Sequence, residues 1–216
     1  MFRRRRLLLR IGMAAPVLAF VAVAIAALAY PGFDNARQYI SDLGGPKALH
    51  PEIFNGAILI TGVGAIAAGI GFGLSLVALG GSRIAAALTS LSFALAGVGM
   101  VLASYYPWPD PRHLAINLGL GIQLAPVLLL WGLAKVDGMG RLRVFLAVVF
   151  AAMAVLTVLT KHLIFKGLVN DANVGWWERA FAIVLVGWTG VAALALERRL
   201  VALVQAENAS EAAIEG

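Results

Sequence analysis

The stretch from Phe54 to Leu79, FNGAILITGVGAIAAGIGFGLSLVAL, decides the fold, because it contains no Asp, Glu, Lys, Arg or His. A helix rises about 1.5 Å per residue, so roughly 20 residues cross a hydrocarbon layer about 30 Å thick. No water reaches the backbone in that layer, and an apolar run of this length must close its own hydrogen bonds as a helix. Five similar runs accompany it: Leu7 to Tyr30, Ile84 to Tyr106, Leu114 to Ala134, Leu142 to Phe165 and Trp177 to Leu196. Short segments between them hold almost every charge. The pattern predicts an all-α integral membrane bundle of six transmembrane helices, with one membrane domain over residues 11–198.

Composition agrees. Hydrophobic residues make up 61 % of the chain and charged residues 13 %, against about 45–50 % and about 25 % in a soluble domain. The 17 Lys and Arg over 11 acids would suggest nucleic acid in a soluble protein; in a membrane bundle the excess reports topology, and no nucleic-acid partner is expected. With no cysteine, disulfides, thiolate metal sites and a cysteine nucleophile are excluded.

Arg3, Arg4, Arg5, Arg6 and Arg10 form a basic segment over residues 1–10, and such a cluster is retained in the cytoplasm. Counting outward from it, Arg83, Lys135, Arg141, Arg143, Arg198 and Arg199 also fall inside, while Arg37, Lys47, Arg112, Lys161, Lys166 and Arg179 fall outside. The bias predicts a multi-pass cell-membrane protein with both termini cytoplasmic. Leu7 to Tyr30 is long for the apolar region of a signal peptide and has no small-residue cleavage site before Tyr30, so it is expected to remain as the first span. Residues 199–216 end small, polar and acidic, which predicts a disordered tail.

Tyr30, Tyr105, Tyr106, Trp108, Trp176 and Trp177 collect at the predicted outer boundary, as interfacial anchors do. Ala65, Gly69 and Gly73, and likewise Ala86, Ser90 and Ala94, recur every fourth residue, a spacing that lets helix backbones approach closely.

The outer loops concentrate chemistry-bearing residues. In the first, Asp34 can cap a helix, Ala36, Ile40 and Leu43 share one face, and Gly44 with Pro46 supplies a stop, predicting a short amphipathic helix over residues 35–43. In the second, Asp110 can cap the fourth span with Pro111 at its first position. His113 and Asn117, four apart, would share a helical face. Ser41, Asp42, Asn55, Asp110, His113, Asn117, Glu178 and Arg179 thus fall near helix ends on one level, where a polar mouth would be lined. Each also has a plain structural use, as a cap, an ion pair or a loop bond.

The order of several of these residues resembles the bacterial membrane family catalogued as domain of unknown function 998. The likeness rests on Ser41, Asp42, Leu43 and Gly44 after the first helix, on Phe54 and Asn55 opening the second, and on Gly97, Gly99, Pro109, Asp110 and His113 around the third. Glu178 and Arg179 opening the sixth, with Trp188 beyond, complete it from about residue 8 to 200. The family is distantly similar to membrane proteins of the FGF-receptor-activating and damage-regulated autophagy modulator type. The resemblance implies six helices, a bacterial inner membrane and a set of outer-face polar positions, but no activity.

Three functions fit these residues. The first is a non-enzymatic protein binding a membrane lipid headgroup or small amphiphile at the outer mouth, with no cofactor, Arg179 and Arg112 holding a phosphate and His113 and Asn117 donating to it. The second is an intramembrane hydrolase or lipid-modifying enzyme with Asp42, His113 and Glu178 as catalytic candidates, or with zinc held by Asp42, Asp110, His113 and His162. Ceramidase-like hydrolases are similar in using Ser, Asp and His, yet their paired histidines four apart are missing here. The third is a transporter, against which no helix centre holds a charge and no duplicated halves are evident. Arg179 needs a partner near the hydrocarbon, and a carboxylate of Asp42 or Asp110, or a lipid phosphate, is expected to supply it.

Overall fold

The structure, a computed structural model, describes residues 2–160 and 167–215. Among the described residues, six helices are long and apolar enough to cross a membrane: α1 (Phe2–Leu28), α2 (Pro51–Ala78), α3 (Arg83–Tyr105), α4 (Pro111–Gly132), α5 (Gly140–Thr160) and α6 (Val174–Glu215). Their ends follow local chemistry. Pro51 opens α2, where a missing N–H costs nothing. Ser82 caps α3 by accepting from the Ala85 amide at 3.3 Å. Gly80, at φ +76°, reverses the chain after α2, and the bonds Gly80 N to Val77 O and Gly81 N to Leu76 O form a Schellman motif.

Helices adjacent in sequence pack on each other, and α6 returns to α1, closing a ring, with α2 also reaching α6 inside it. The centre is aromatic. Phe72, Phe93 and Trp188 are all buried, with ring centroids 5.0–6.2 Å apart.

The α2–α3 seam is the closest in the bundle. A Cβ on Gly69 would lie 2.4 Å from the Phe93 Cβ, and one on Gly73 would lie 2.2 Å from the Ser90 Oγ. Gly62 and Gly97 face each other, a Cβ on Gly97 falling 2.4 Å from the Gly62 carbonyl oxygen. The Ser90 hydroxyl donates to the Gly69 carbonyl at 2.9 Å across the seam. Gly69, Gly73, Ala86 and Ser90 therefore act as expected. Ala94 is not among the nearest atoms those glycines meet; Phe93 and Gly97 take its place.

Three local expectations change. Over residues 35–43 there is no amphipathic helix: residues 35–38 turn, and a five-residue 3-10 helix follows at Ile40–Gly44. Side chains of the loop itself, Asp34 and Asp42, and Glu178 of α6 take loop amides that a continuous helix would have used. Second, α4 begins as a 3-10 helix over Pro111–Leu124 and becomes α-helical only at Ala125–Gly132. At about three residues per turn, positions four apart diverge by roughly 120°, so His113 and Asn117 do not share a face. Third, α6 continues to Glu215, through the segment whose composition suggests disorder. Ala, Glu and Gln are good helix formers, and elongating a helix already anchored in the bundle avoids the cost of nucleation.

Candidate functional site

At one end of the bundle, here the loop end, the segment after α1 is gripped by the first turn of α6. Gly175, Glu178 and Arg179 stand at i, i+3 and i+4 and share one helix face. The Gly175 amide donates to the Ala36 carbonyl at 2.7 Å. A Cβ there would lie 2.4 Å from the Asn35 oxygen and 2.6 Å from that of Gln38, so only glycine admits the loop so close. Glu178 accepts from the Ile40 amide. Arg179 donates through Nε to Asn35 Oδ1 at 3.1 Å and through Nη1 to the carbonyls of Gln38 and Gly175 at 3.0 and 2.8 Å. Its guanidinium also lies 5.3 Å from the Phe33 ring centroid.

Arg179 is therefore met by carbonyls, an amide and an aromatic face. Among the described residues no carboxylate lies within salt-bridge distance of it, contrary to the expectation for Asp42 or Asp110. The reason is geometric: α6 meets the loop through backbone that turns its carbonyls toward the helix. Asp34, expected as a helix cap, instead forms a turn by accepting from the Ala36 amide at 2.8 Å.

The Ser41-Asp42-Leu43-Gly44 element is a docking plug. Asp42 Oδ2 accepts from the Tyr39 amide at 2.8 Å, so Asp42 and Glu178 hold successive amides of one short segment. Leu43 is 1 % exposed and packs with Ala26 and Phe54. Asn55 Nδ2 donates to the Gly44 carbonyl at 3.0 Å, and a Cβ on Gly44 would collide with the Asn55 and Phe54 side chains. Ser41 is partly buried and, among the described residues, hydrogen-bonds neither a histidine nor a carboxylate.

The second loop forms a separate network. Asp110 caps α4 by accepting from the Arg112 amide at 2.8 Å, and it pairs with the Arg112 guanidinium at 3.0 and 2.7 Å. That guanidinium holds the Asp110 carboxyl down from the ordinary 3.8 to about 2, the amide bond adding to the effect. Arg112 lies over the Tyr106 ring at 3.9 Å. His113 Nδ1 faces two carbonyl oxygens, Tyr106 at 2.9 Å and Ala103 at 3.3 Å. Since both are acceptors, Nδ1 carries the proton and ties off the end of α3.

Asp42, Asp110 and His113 thus serve different bonds, and among the described residues no three His, Asp or Glu side chains come together as a metal site would require. His162, the remaining member of the alternative zinc set, lies outside the described residues, as do Lys161 and Lys166. Asp42, Asn55, Glu178 and Arg179 are brought together around the loop plug; Asp110 and His113 gather around the second loop. The two loops touch where Gly45 meets the Trp108 carbonyl.

Asn117 stands apart from both groups, and it leads to a feature that the sequence does not reveal. Below the loops, a cavity of about 330 Å³ opens inside the bundle. It is lined from α1, α2, α3, α4 and α6, chiefly by Ala, Gly, Leu, Ile and Phe. Four side chains bring polarity: Thr61, Asn117, Gln123 and Thr189. Gln123 accepts from Thr157 at 3.0 Å, and Thr189 donates to the Val186 carbonyl at 2.7 Å. The Thr61 hydroxyl is buried with no partner among the described residues. Asn117 is exposed, as are Ile116 and Leu120 on the same wall, so the cavity meets the surrounding medium along this part of α4. Small residues at Ala15, Ala65, Ala68, Ala96 and Gly119 create the space, but each is legible in sequence only as a packing residue.

The sequence profile of a family described as Protein of unknown function (DUF998) matches residues 13–195. No curated protein and no solved structure matches the chain.

Proposed function

This chain belongs to the DUF998 family, and we propose that it is a lipid-binding membrane protein that holds the apolar chain of an amphiphile in the cavity beneath its loop end. The observation that carries this reading is the cavity itself. Protein interiors hold few voids larger than a water molecule, whereas about 330 Å³ falls within the ~300–1,000 Å³ typical of ligand pockets. Its carbon lining suits an acyl or similar chain rather than water, which needs several polar partners. The unpartnered Thr61 hydroxyl and the Asn117 amide supply the few oriented polar contacts that such a ligand's head would meet.

The loop-end residues take a supporting role in this proposal. Asp42, Asn55, Glu178 and Arg179 pin the first loop over the bundle, and Asp110 and His113 pin the second to α3 and α4, which keeps the wall near Asn117 in place. The arginine bias argues that the loop end faces away from the cytoplasm, and the family resemblance argues for a bacterial inner membrane.

Native mass spectrometry of the protein released from mild detergent tests the proposal, together with extraction and identification of what co-purifies. Ala65 lines the cavity, so Ala65→Phe fills it from within. Wild type is expected to retain a bound amphiphile at near one per chain, and Ala65→Phe to lose it while keeping its melting temperature. Wild type that carries none, or a filled variant that retains the same adduct, would refute the proposal.

A further inference from the structure

At the opposite end of the bundle a second cleft joins α1 to α6. We infer that it is a binding site for the phosphate of an anionic membrane lipid, formed by Arg6, Arg10 and Arg198 around the buried Glu197. Arg6 and Arg10 are one turn apart on α1, and each donates through Nε to the same oxygen, Glu197 Oε1, at 2.9 Å. Glu197 is only 7 % exposed. One carboxylate therefore fixes two guanidinium planes by their Nε edges. Among the described residues neither arginine has a hydrogen-bond or ion-pair partner for its Nη groups, although the Phe2 ring lies 5.4 Å from the Arg6 guanidinium.

The same two arginines line a cleft of about 310 Å³ with Glu197, Arg198, Val201, Gln205 and Ala202. Three arginines against one carboxylate leave it positive. A guanidinium fork matches phosphate oxygens, and two forks already held in place lose little entropy on binding.

Position selects a lipid over a soluble anion. Glu197 lies 23 residues beyond Val174, roughly 35 Å along α6, about one hydrocarbon thickness. Arg6 and Arg10 lie a similar distance along α1 from Leu28. The cleft thus sits where headgroup phosphates collect, and Leu7, beside Arg6, is 61 % exposed and available to acyl chains. The site shares no lining residue with the cavity beneath the loops, whose nearest lining residue on α6, Thr189, lies eight residues, roughly 12 Å, from Glu197.

Full-length protein in mild detergent, supplied with equimolar phosphatidylglycerol and phosphatidylcholine and read by native mass spectrometry, tests the inference. Wild type is expected to retain phosphatidylglycerol over phosphatidylcholine by roughly tenfold or more, as several arginines at a membrane surface would give. Removing the arginines alone would strand a buried carboxylate, so the test variant is the triple change Arg6→Gln, Arg10→Gln and Glu197→Gln; it is expected to lose the preference. Glu197→Gln alone leaves every guanidinium in place and is expected to keep it. Equal retention of both lipids by wild type would overturn the site, showing Arg6, Arg10 and Glu197 to be a structural ion pair only. An unchanged preference in the triple variant would overturn it too, by moving binding to Arg3, Arg4 and Arg5. Inorganic phosphate that stabilises wild type as much as phosphatidylglycerol does would overturn the lipid assignment in favour of a free anion.

Discussion

Replacing Gly97 by alanine tests one of the closest backbone contacts in the bundle. The new Cβ would lie 2.4 Å from the Gly62 carbonyl oxygen and 2.5 Å from the Ile66 Cγ1, atoms of the facing helix that cannot swing away as a flexible side chain tip would. Relief requires α2 and α3 to part by about 1 Å, since a comfortable contact is near 3.5 Å. Overpacking of this kind costs ~1–3 kcal/mol. Parting also stretches the Ser90 to Gly69 bond, now 2.9 Å, and such interhelical bonds are worth about 0.6 kcal/mol in membranes. Alanine's better helix propensity returns up to ~1 kcal/mol. The net expectation is a loss of about 1.5 kcal/mol. Gly56→Ala on α2 is the matched control, because no atom lies within 4 Å of its Cβ and only the propensity gain of up to ~1 kcal/mol applies. Reversible unfolding in mixed detergent micelles, followed by tryptophan fluorescence, reads both, since Trp188 stacks on Phe72 and meets Phe93 edge to face in the centre. Gly97→Ala as stable as Gly56→Ala would show that the seam is not tight and that its glycines are not there for close approach.

Four further outcomes are expected. Gly175→Ala drives a Cβ into the Asn35 and Gln38 carbonyls, so the first loop should detach from α6 and limited proteolysis within residues 34–40 should quicken; unchanged protection would count against the clamp. Thr61→Val keeps shape but removes a buried hydroxyl without a partner, so lipid-stripped protein should gain about 1 kcal/mol, and a loss of stability in unfolding titrations would show an unseen partner. The proposed topology, with both termini cytoplasmic, predicts that Lys47→Cys reacts with an impermeant maleimide in intact cells and that Asp137→Cys does not, both positions being exposed; the reverse labelling would invert the topology. Because the Asp110 carboxyl is held below its ordinary value, at about 2, the α4 cap is fully present above the ordinary aspartate range and is lost only as pH falls through about 2. Carboxyl carbon NMR should therefore show Asp110 still ionised near pH 3, and Arg112→Gln should return its titration to the usual range.

Six spans, their order and most of their ends are legible in the sequence, because the hydrocarbon leaves a long apolar run no alternative to a helix. Asp110 with Pro111 marks a helix start because the orphan amides of a first turn are met locally. The glycines of α2 announce a close seam for the same kind of reason, being read against the immediate need for space. Long-range partners are not legible in this way. Nothing near Arg179 in sequence says that it meets Asn35 and the Gln38 carbonyl, or that Glu178 takes the Ile40 amide, since those bonds depend on where a loop about 140 residues earlier comes to rest. The 3-10 winding of α4, which parts His113 from Asn117 and lies against α3 at Gly99 and Ala96, is not legible in its apolar run, which suits either winding. The cavity is the clearest case: an alanine against a neighbour's alanine closes a seam, and an alanine facing another small residue across the ring leaves a void. Which of the two occurs is decided by how five helices are set around a common centre, a property of the assembled bundle that no single stretch of the chain contains.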